Sequence, residues 1–264
     1  MKLSYGQKIP IKTRSEIDRM REAGRHVAEI LVELRDRVRP GVGTEELDRY
    51  ARKLIRERGL TSSFLGYGPY GLPAYPAVLC VSVNEEIVHG IPGGRVIREG
   101  DIVSLDFGVS VEGWHGDSAV TVCVGDVTEE CRHLVEVTRE SLDRAIKTMR
   151  CGQRLSDIGH AVQEFVEPAG YSVVRDFAGH GIGAAMHEPP WIPNYGPRGR
   201  GPRLVPGMVF AIEPMVNAGA PDVEILDDEW TAVTVDGAAS AHFEHTILVT
   251  DDGPEVLTQV AGSH

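Results

Sequence analysis

Apolar residues at Ile17, Met20, Val27, Ile30, Leu31, Leu34 and Val38 recur every three or four positions, which predicts an amphipathic helix over 14–38. Thr13 and Glu16 have the spacing of a capping box at its start, and Pro40-Gly41 closes it. A second helix begins at Thr44, carries Leu47, Tyr50, Ala51, Leu54 and Ile55, and has Gly59 placed as its C-terminal cap. Residues 61–77 are rich in Gly, Pro and Tyr, show no period, and read as a long shaped loop. Apolar runs at about 78–83, 101–109 and 117–124 predict strands. Two more helices fit 128–150 and 156–169, with Gly152 and Gly170 just beyond them, and 173–258 reads as strands broken by Gly/Pro loops.

The pattern contains one internal repeat. Gly100-Asp-Ile-Val-Ser-Leu-Asp106 aligns with Gly207-Met-Val-Phe-Ala-Ile-Glu213: a glycine, residues of strand character, then a carboxylate six positions on. Each copy follows a helix-rich stretch, 14–58 and 128–169. Two related helix-plus-strand halves packed about a pseudo-twofold axis explain this, so the expected class is mixed α/β (α+β).

Composition narrows the classes. With 264 residues, 42% of them hydrophobic, the chain can bury a sizeable core as one large domain. No apolar run approaches a spanning length, and the N-terminus lacks the apolar stretch of a signal peptide. Four cysteines (Cys80, Cys123, Cys131, Cys151) contain no CxxC pair, which argues against a disulfide scaffold or a Cys-based zinc site and makes the cytoplasm the expected compartment. The formal net charge is −12, unevenly spread: residues 1–58 hold 15 Lys/Arg against 10 Asp/Glu, the remainder 12 against 29. An acidic body argues against general nucleic-acid or specific DNA binding. The basic N-terminal region with Arg198, Arg200 and Arg203 is either a solvated face or a local anion-facing patch.

The chemistry concentrates in a few carboxylates and histidines. Asp106 and Asp117 sit in successive strands around the turn-like Val111-Glu-Gly-Trp-His-Gly116. A hairpin turning near 111–113 sets them nearly opposite each other, where two like charges need a neutralising partner such as a divalent cation. The alternatives are that one faces solvent or that a bulge separates them. Glu213 and Glu244 are likewise embedded in apolar strand sequence, with few cations in the same segments. Gly179-His180-Gly-Ile-Gly183 presents a histidine from a glycine-rich turn; no strand–GxGxxG–helix context makes it a phosphate loop. His187 precedes Glu188-Pro-Pro with no second His, so the HExxH signature fails, and His89 ends an apolar strand at a Gly/Pro turn. A GxSxG elbow is absent, which disfavours a covalent nucleophile. Four strand carboxylates plus a histidine describe an oxygen-rich, two-metal hydrolytic centre.

Taken together, Tyr75–Asn84 through His89-Gly-Ile-Pro92, Asp101–Phe107, His115-Gly-Asp117, Gly179–Gly183 with His187-Glu-Pro189, Pro206–Met215 and Glu244-His-Thr closely resemble the type I methionine aminopeptidases, in the family's order, over roughly residues 12–258. The resemblance implies the pita-bread fold, two pseudo-twofold-related halves (about 12–125 and 126–258) around a central antiparallel sheet in a single catalytic domain spanning 1–264. It implies two divalent ions (cobalt, manganese, iron or similar) on Asp106, Asp117, His180, Glu213 and Glu244. Asp117 and Glu244 bridge, His180 and Glu213 complete one site, and Asp106 completes the other. A hydroxide between the ions then attacks the first peptide bond, releasing the initiator methionine when the second residue is small. His89 is implied near the scissile nitrogen, His187 at the carbonyl, and Tyr75, Cys80 and Trp230 around the methionine side chain. Many members have Phe before the second His, where this chain has Met186, which alters the pocket wall. The 33 residues from His180 to Glu213 and the 31 from there to Glu244 leave no room for the helical insertion of type II enzymes. Partners implied are N-termini of nascent polypeptides and a transient ribosome contact, with no membrane and an expected monomer. The alternatives are an X-Pro aminopeptidase of the same fold, whose members carry a large extra N-terminal domain, or a non-catalytic ribosome- or protein-binding module, which would have lost ligands that this chain retains.

Overall fold

The computed structural model describes residues 8–260. Residues 1–7 and 261–264, including Lys2 of the basic N-terminal stretch, lie outside the described residues. The first half runs α1 (Arg14–Arg35), α2 (Thr44–Arg58), β1 (Thr61–Ser62), β2 (Cys80–Val83), β3 (Glu86–Val88), β4 (Ile102–Val111) and β5 (Trp114–Cys123). The second starts again with helices, α3 (Glu129–Thr148) and α4 (Ser156–Val166). It continues with β6 (Ser172–Val173), β7 (Gly179–Gly181), β8 (Glu188–Ile192), β9 (Val209–Ile212), β10 (Met215–Asn217) and β11 (Val223–Ile225). It closes with β12 (Ala232–Thr234), β13 (Ser240–His242), β14 (His245–Thr250) and β15 (Gly253–Val256).

Local chemistry sets the ends. Glu16 accepts from the Thr13 N–H at 2.6 Å, the expected half of the capping box, and Gly59 closes α2 with φ +66°. Helix α1 stops three residues before the expected Val38, because Arg37 and Val38 donate to carbonyls only three residues back and tighten the last turn. The repeated glycines behave alike: Gly100 and Gly207 take φ +90° and +88°, and a strand begins two residues after each.

All strand pairings are antiparallel. In the first half β4 lies between β1 and β2 and also pairs with β5; in the second, the order is β15-β14-β9-β7-β8. Two three-stranded sheets, β13-β10-β6 and β11-β12-β3, flank them. The halves meet where Ala119 of β5 bridges Glu244, with backbone hydrogen bonds of 3.3 and 2.9 Å, and where Thr246 accepts from the Asp117 N–H at 3.0 Å.

The hairpin corrects one expectation. His115 and Gly116 belong to β5, and the turn is the two residues Glu112-Gly113, both with positive φ (48° and 79°). Asp106 therefore stands opposite Ala119, and Asp117 opposite Gly108. The two carboxylates are diagonal neighbours on one face, two positions out of register, instead of a facing pair.

Among the described residues, three large apolar clusters fill the interior, beside a smaller one around Ile87, Val174 and Met215. One packs α1 and α2 residues such as Ile30, Leu34, Leu47 and Ala51 against Leu79, Leu105 and Phe107. A second packs α3 and α4 (Leu134, Leu142, Ile158, Val162) against Phe210, Ile212 and Ile247. The third joins residues from both halves, among them Met20, Phe64, Tyr75, Met186 and Trp230, beneath the cavity described next.

Candidate metal centre and substrate cavity

Five side chains carried on strands or at their ends converge between the two halves. Asp106 lies in β4, Asp117 in β5 and His180 in β7, while Glu213 follows β9 and Glu244 precedes β14. Ligand atoms of Asp117, His180 and Glu244 all lie within 4.8 Å of one another, and all three residues are buried. His180 Nε2 is 3.4 Å from Glu213 Oε1. Its Nδ1–H donates to the Gly181 carbonyl at 2.9 Å, so the backbone of its own turn orients the ring and leaves Nε2 toward the acids. All five line a cavity of about 730 Å³.

These residues suit a divalent cation. Asp106 Oδ1, Asp117 Oδ1 and Glu244 Oε1 are buried without a hydrogen-bond partner, a costly state for carboxylate oxygens and the one a metal relieves. Electrostatics agree. Burial pushes Asp106 up to about 7. Burial, then the carboxylates of its neighbours, raises Asp117, Glu213 and Glu244 well above the ordinary carboxylate range. Burial also depresses His180 to about 4, keeping the imidazole neutral and able to ligate. Four carboxylates and one imidazole form a hard-to-borderline donor set.

Comparison with known proteins decides the family. The model of metallopeptidase family M24 matches residues 18–251. Methionine aminopeptidase 1 of Bacillus subtilis is 51% identical over 252 residues, 96% of this chain and 100% of that protein. The methionine aminopeptidase of Clostridium perfringens is 49% identical, over 96% of this chain and 99% of its own. The chain belongs to the methionine aminopeptidases of family M24. The crystal structure of methionine aminopeptidase from Thermotoga maritima superposes with a TM-score of 0.92 at 48% identity, covering 96% of this chain and 100% of that one. An Xaa-Pro dipeptidase from Bacillus anthracis shares the fold less closely, with a TM-score of 0.76 at 25% identity, and this chain covers 63% of it. The pita-bread architecture of this metallopeptidase family accounts for the paired halves and the internal repeat.

Within this cavity, nine of the ten residues expected at the site line the wall: the four acids and His180 of the centre together with His89, His187, Tyr75 and Trp230. Cys80 is the exception. It is buried opposite Asp106 in the β2–β4 pair, its thiol against the Asp106 carboxyl and the Tyr75 hydroxyl, one layer behind the wall. His89 takes φ +61° beyond β3, with its ring edge-on to Phe177 (5.3 Å) and Trp230 (5.9 Å). Burial holds it down at about 4. His187 lies over His180, ring centroids 4.1 Å apart; burial, then His180 and other histidines, pushes it down to about 2.

Phe64 and Tyr67, which the sequence places in a pocket-forming 61–77 loop without fixing their individual positions, both reach the cavity wall. Phe64 packs edge-on to Tyr75 at 6.4 Å, and Tyr67 stacks on His187. Trp230 donates from Nε1 to the Pro73 carbonyl at 3.0 Å, so the loop and the aromatic wall hold each other in place. Met186, buried beside them, stands where many members of the family carry Phe.

Proposed function

We propose that this chain releases the N-terminal methionine of polypeptides whose second residue is small, from one catalytic unit with halves 12–125 and 126–258. The observation that carries the reading is the convergence of Asp117, His180 and Glu244, ligand atoms within 4.8 Å, on a cavity with an apolar aromatic wall.

Asp117 and Glu244 would hold two divalent ions jointly, with His180 and Glu213 completing one position and Asp106 the other. Bound there, manganese, iron or cobalt would supply Lewis-acid polarisation and a lowered pKa for water. The chain's own groups do the rest. Tyr75, Trp230, Phe64 and Met186 enclose an unbranched apolar side chain, where a thioether gains contacts with aromatic edges. His187, held neutral, donates to the scissile carbonyl oxygen, where charge develops in the transition state. His89 sits near the scissile nitrogen and assists proton delivery to it. Nascent polypeptides are the natural substrates, the cytoplasm the place, and Arg198, Arg200 and Arg203 a transient contact with the ribosome, by a monomer.

Methionine release from Met-Ala-Ser by metal-stripped protein, with and without added Mn²⁺ or Co²⁺, tests this beside an X-Pro peptide. Metal-dependent cleavage of the methionyl peptide alone supports it, and a Met-Lys peptide is spared. Cleavage of the X-Pro peptide instead moves the chain to the other branch of the fold; folded protein inert with every metal makes it a binding module.

A further inference from the structure

Lys12 lies in the segment just before α1 and is only 7% exposed. Its N–H donates to the Gly207 carbonyl at 2.8 Å, which fixes this segment to the turn leading into β9. Its ammonium forms an ion pair with Glu188, a residue 176 positions away. Buried lysines occur where a charge partner is supplied, and the mechanism above uses neither member of the pair.

Glu188 is the residue after His187 and the first of β8. Its other oxygen accepts from the Ala185 N–H at 3.3 Å, so one carboxylate grips both ends of the 185–188 turn. The pair rests on Gly183: a Cβ there would land on Lys12 Cε and Nζ and within 2.7 Å of Glu188 Oε1. The Gly183 N–H donates to Ala185 O at 3.1 Å, and its carbonyl accepts from the His115 N–H at 2.9 Å. The last glycine of Gly179-His-Gly-Ile-Gly183 thus makes room for an ion pair. Lysine, glutamate and glycine together form a rigid base for the short turn that carries His187 from β7 to β8.

We infer that Lys12 is a positioning residue for His187, acting through Glu188. This rests on the reading above that His187 assists turnover. A neutral side chain at 12 would leave the largely covered Glu188 carboxylate without its cation, and the turn would shift to rehydrate it. Sub-ångström drift of a transition-state donor lowers kcat while leaving substrate binding nearly intact.

A double-mutant cycle on the full-length Mn²⁺-loaded chain, cleaving Met-Ala-Ser, tests it. Lys12→Met is expected to lower kcat about 10–100-fold with KM changed less than about threefold. Placed on His187→Ala, the same substitution should change kcat less than about twofold, because its only route is already gone. Equal fold losses in both backgrounds would overturn the inference and make Lys12 merely structural. Glu188→Gln, which keeps the size and removes the charge, enters a second cycle with the same expectation and decides the matter should Lys12→Met not fold. A His187→Ala protein with wild-type kcat would overturn the reading of His187 itself, and is recognised without touching Lys12.

Discussion

The Tyr67 hydroxyl oxygen stands 2.5 Å from Nδ1 of His187, and the two rings stack with centroids 5.2 Å apart. His187 is held neutral, at about 2, so its ring carries a single proton. A phenol donating to Nδ1 leaves that proton on Nε2, the tautomer a carbonyl-directed donor requires. Tyr67→Phe keeps the ring and removes the tether. Turnover of Met-Ala-Ser is expected to fall about tenfold in kcat with little change in KM. Unaltered kinetics would reduce Tyr67 to packing.

Asp117 is raised first by its burial and next by the carboxylates of Asp106 and Glu213. Asp117→Asn removes one charge from that crowd, so it should abolish turnover while raising the thermal midpoint of the chelator-treated protein. Kinetics, metal analysis and thermal unfolding with a chelator check the pair of effects. Near-normal activity with stoichiometric metal would remove Asp117 from the centre.

Gly108 faces Asp117 across the hairpin, and a Cβ there would lie 3.0 Å from Asp117 Oδ1 and 3.0 Å from Phe64 Cε1. Carboxylate and ring would each have to give by a few tenths of an ångström. Gly108→Ala should therefore weaken metal retention about tenfold or more while the protein stays folded. Competition with a fluorescent chelator reads this directly; wild-type affinity would show that the carboxylate tolerates the shift.

Metal uptake should also be linked to protons. Asp106 sits at about 7, and Asp117, Glu213 and Glu244 are raised as well, so the metal-free cluster keeps protons at pH 6. Ligation needs the ionised carboxylates. The sign follows: affinity rises as pH climbs through about 7, and the protons released per ion fall over the same range. Calorimetric titration of Mn²⁺ at pH 6 in two buffers of unlike protonation enthalpy should give different heats. Equal heats would mean that the cluster is already ionised.

The helices were legible because each buries one stripe, and boundaries erred by only a few residues where the last turn tightened, as at Val38. The acids were legible because a carboxylate inside an apolar strand has no ordinary reason to be there. What escaped depends on geometry without a local period. The turn at Glu112-Gly113 lacks the Asn-Gly signal, and moving the centre of a hairpin turn by one residue displaces the facing partners by two positions while keeping the same face. Tyr67 and Phe64 belong to a loop whose shape is set by the wall it packs against. Lys12 and Glu188 are joined across 176 positions, and neither carries any neighbouring hint of the other.

The Ala119–Glu244 bridge has a thermodynamic consequence. Asp106 and Asp117 come from the first half; His180, Glu213 and Glu244 come from the second. Neither half owns the set. An ion held by both acts as a staple across the seam, so parting the halves must discharge the metal, and loading the metal must resist parting. Inactivation on heating is then the separation of two lobes recorded chemically, and it should occur in one step.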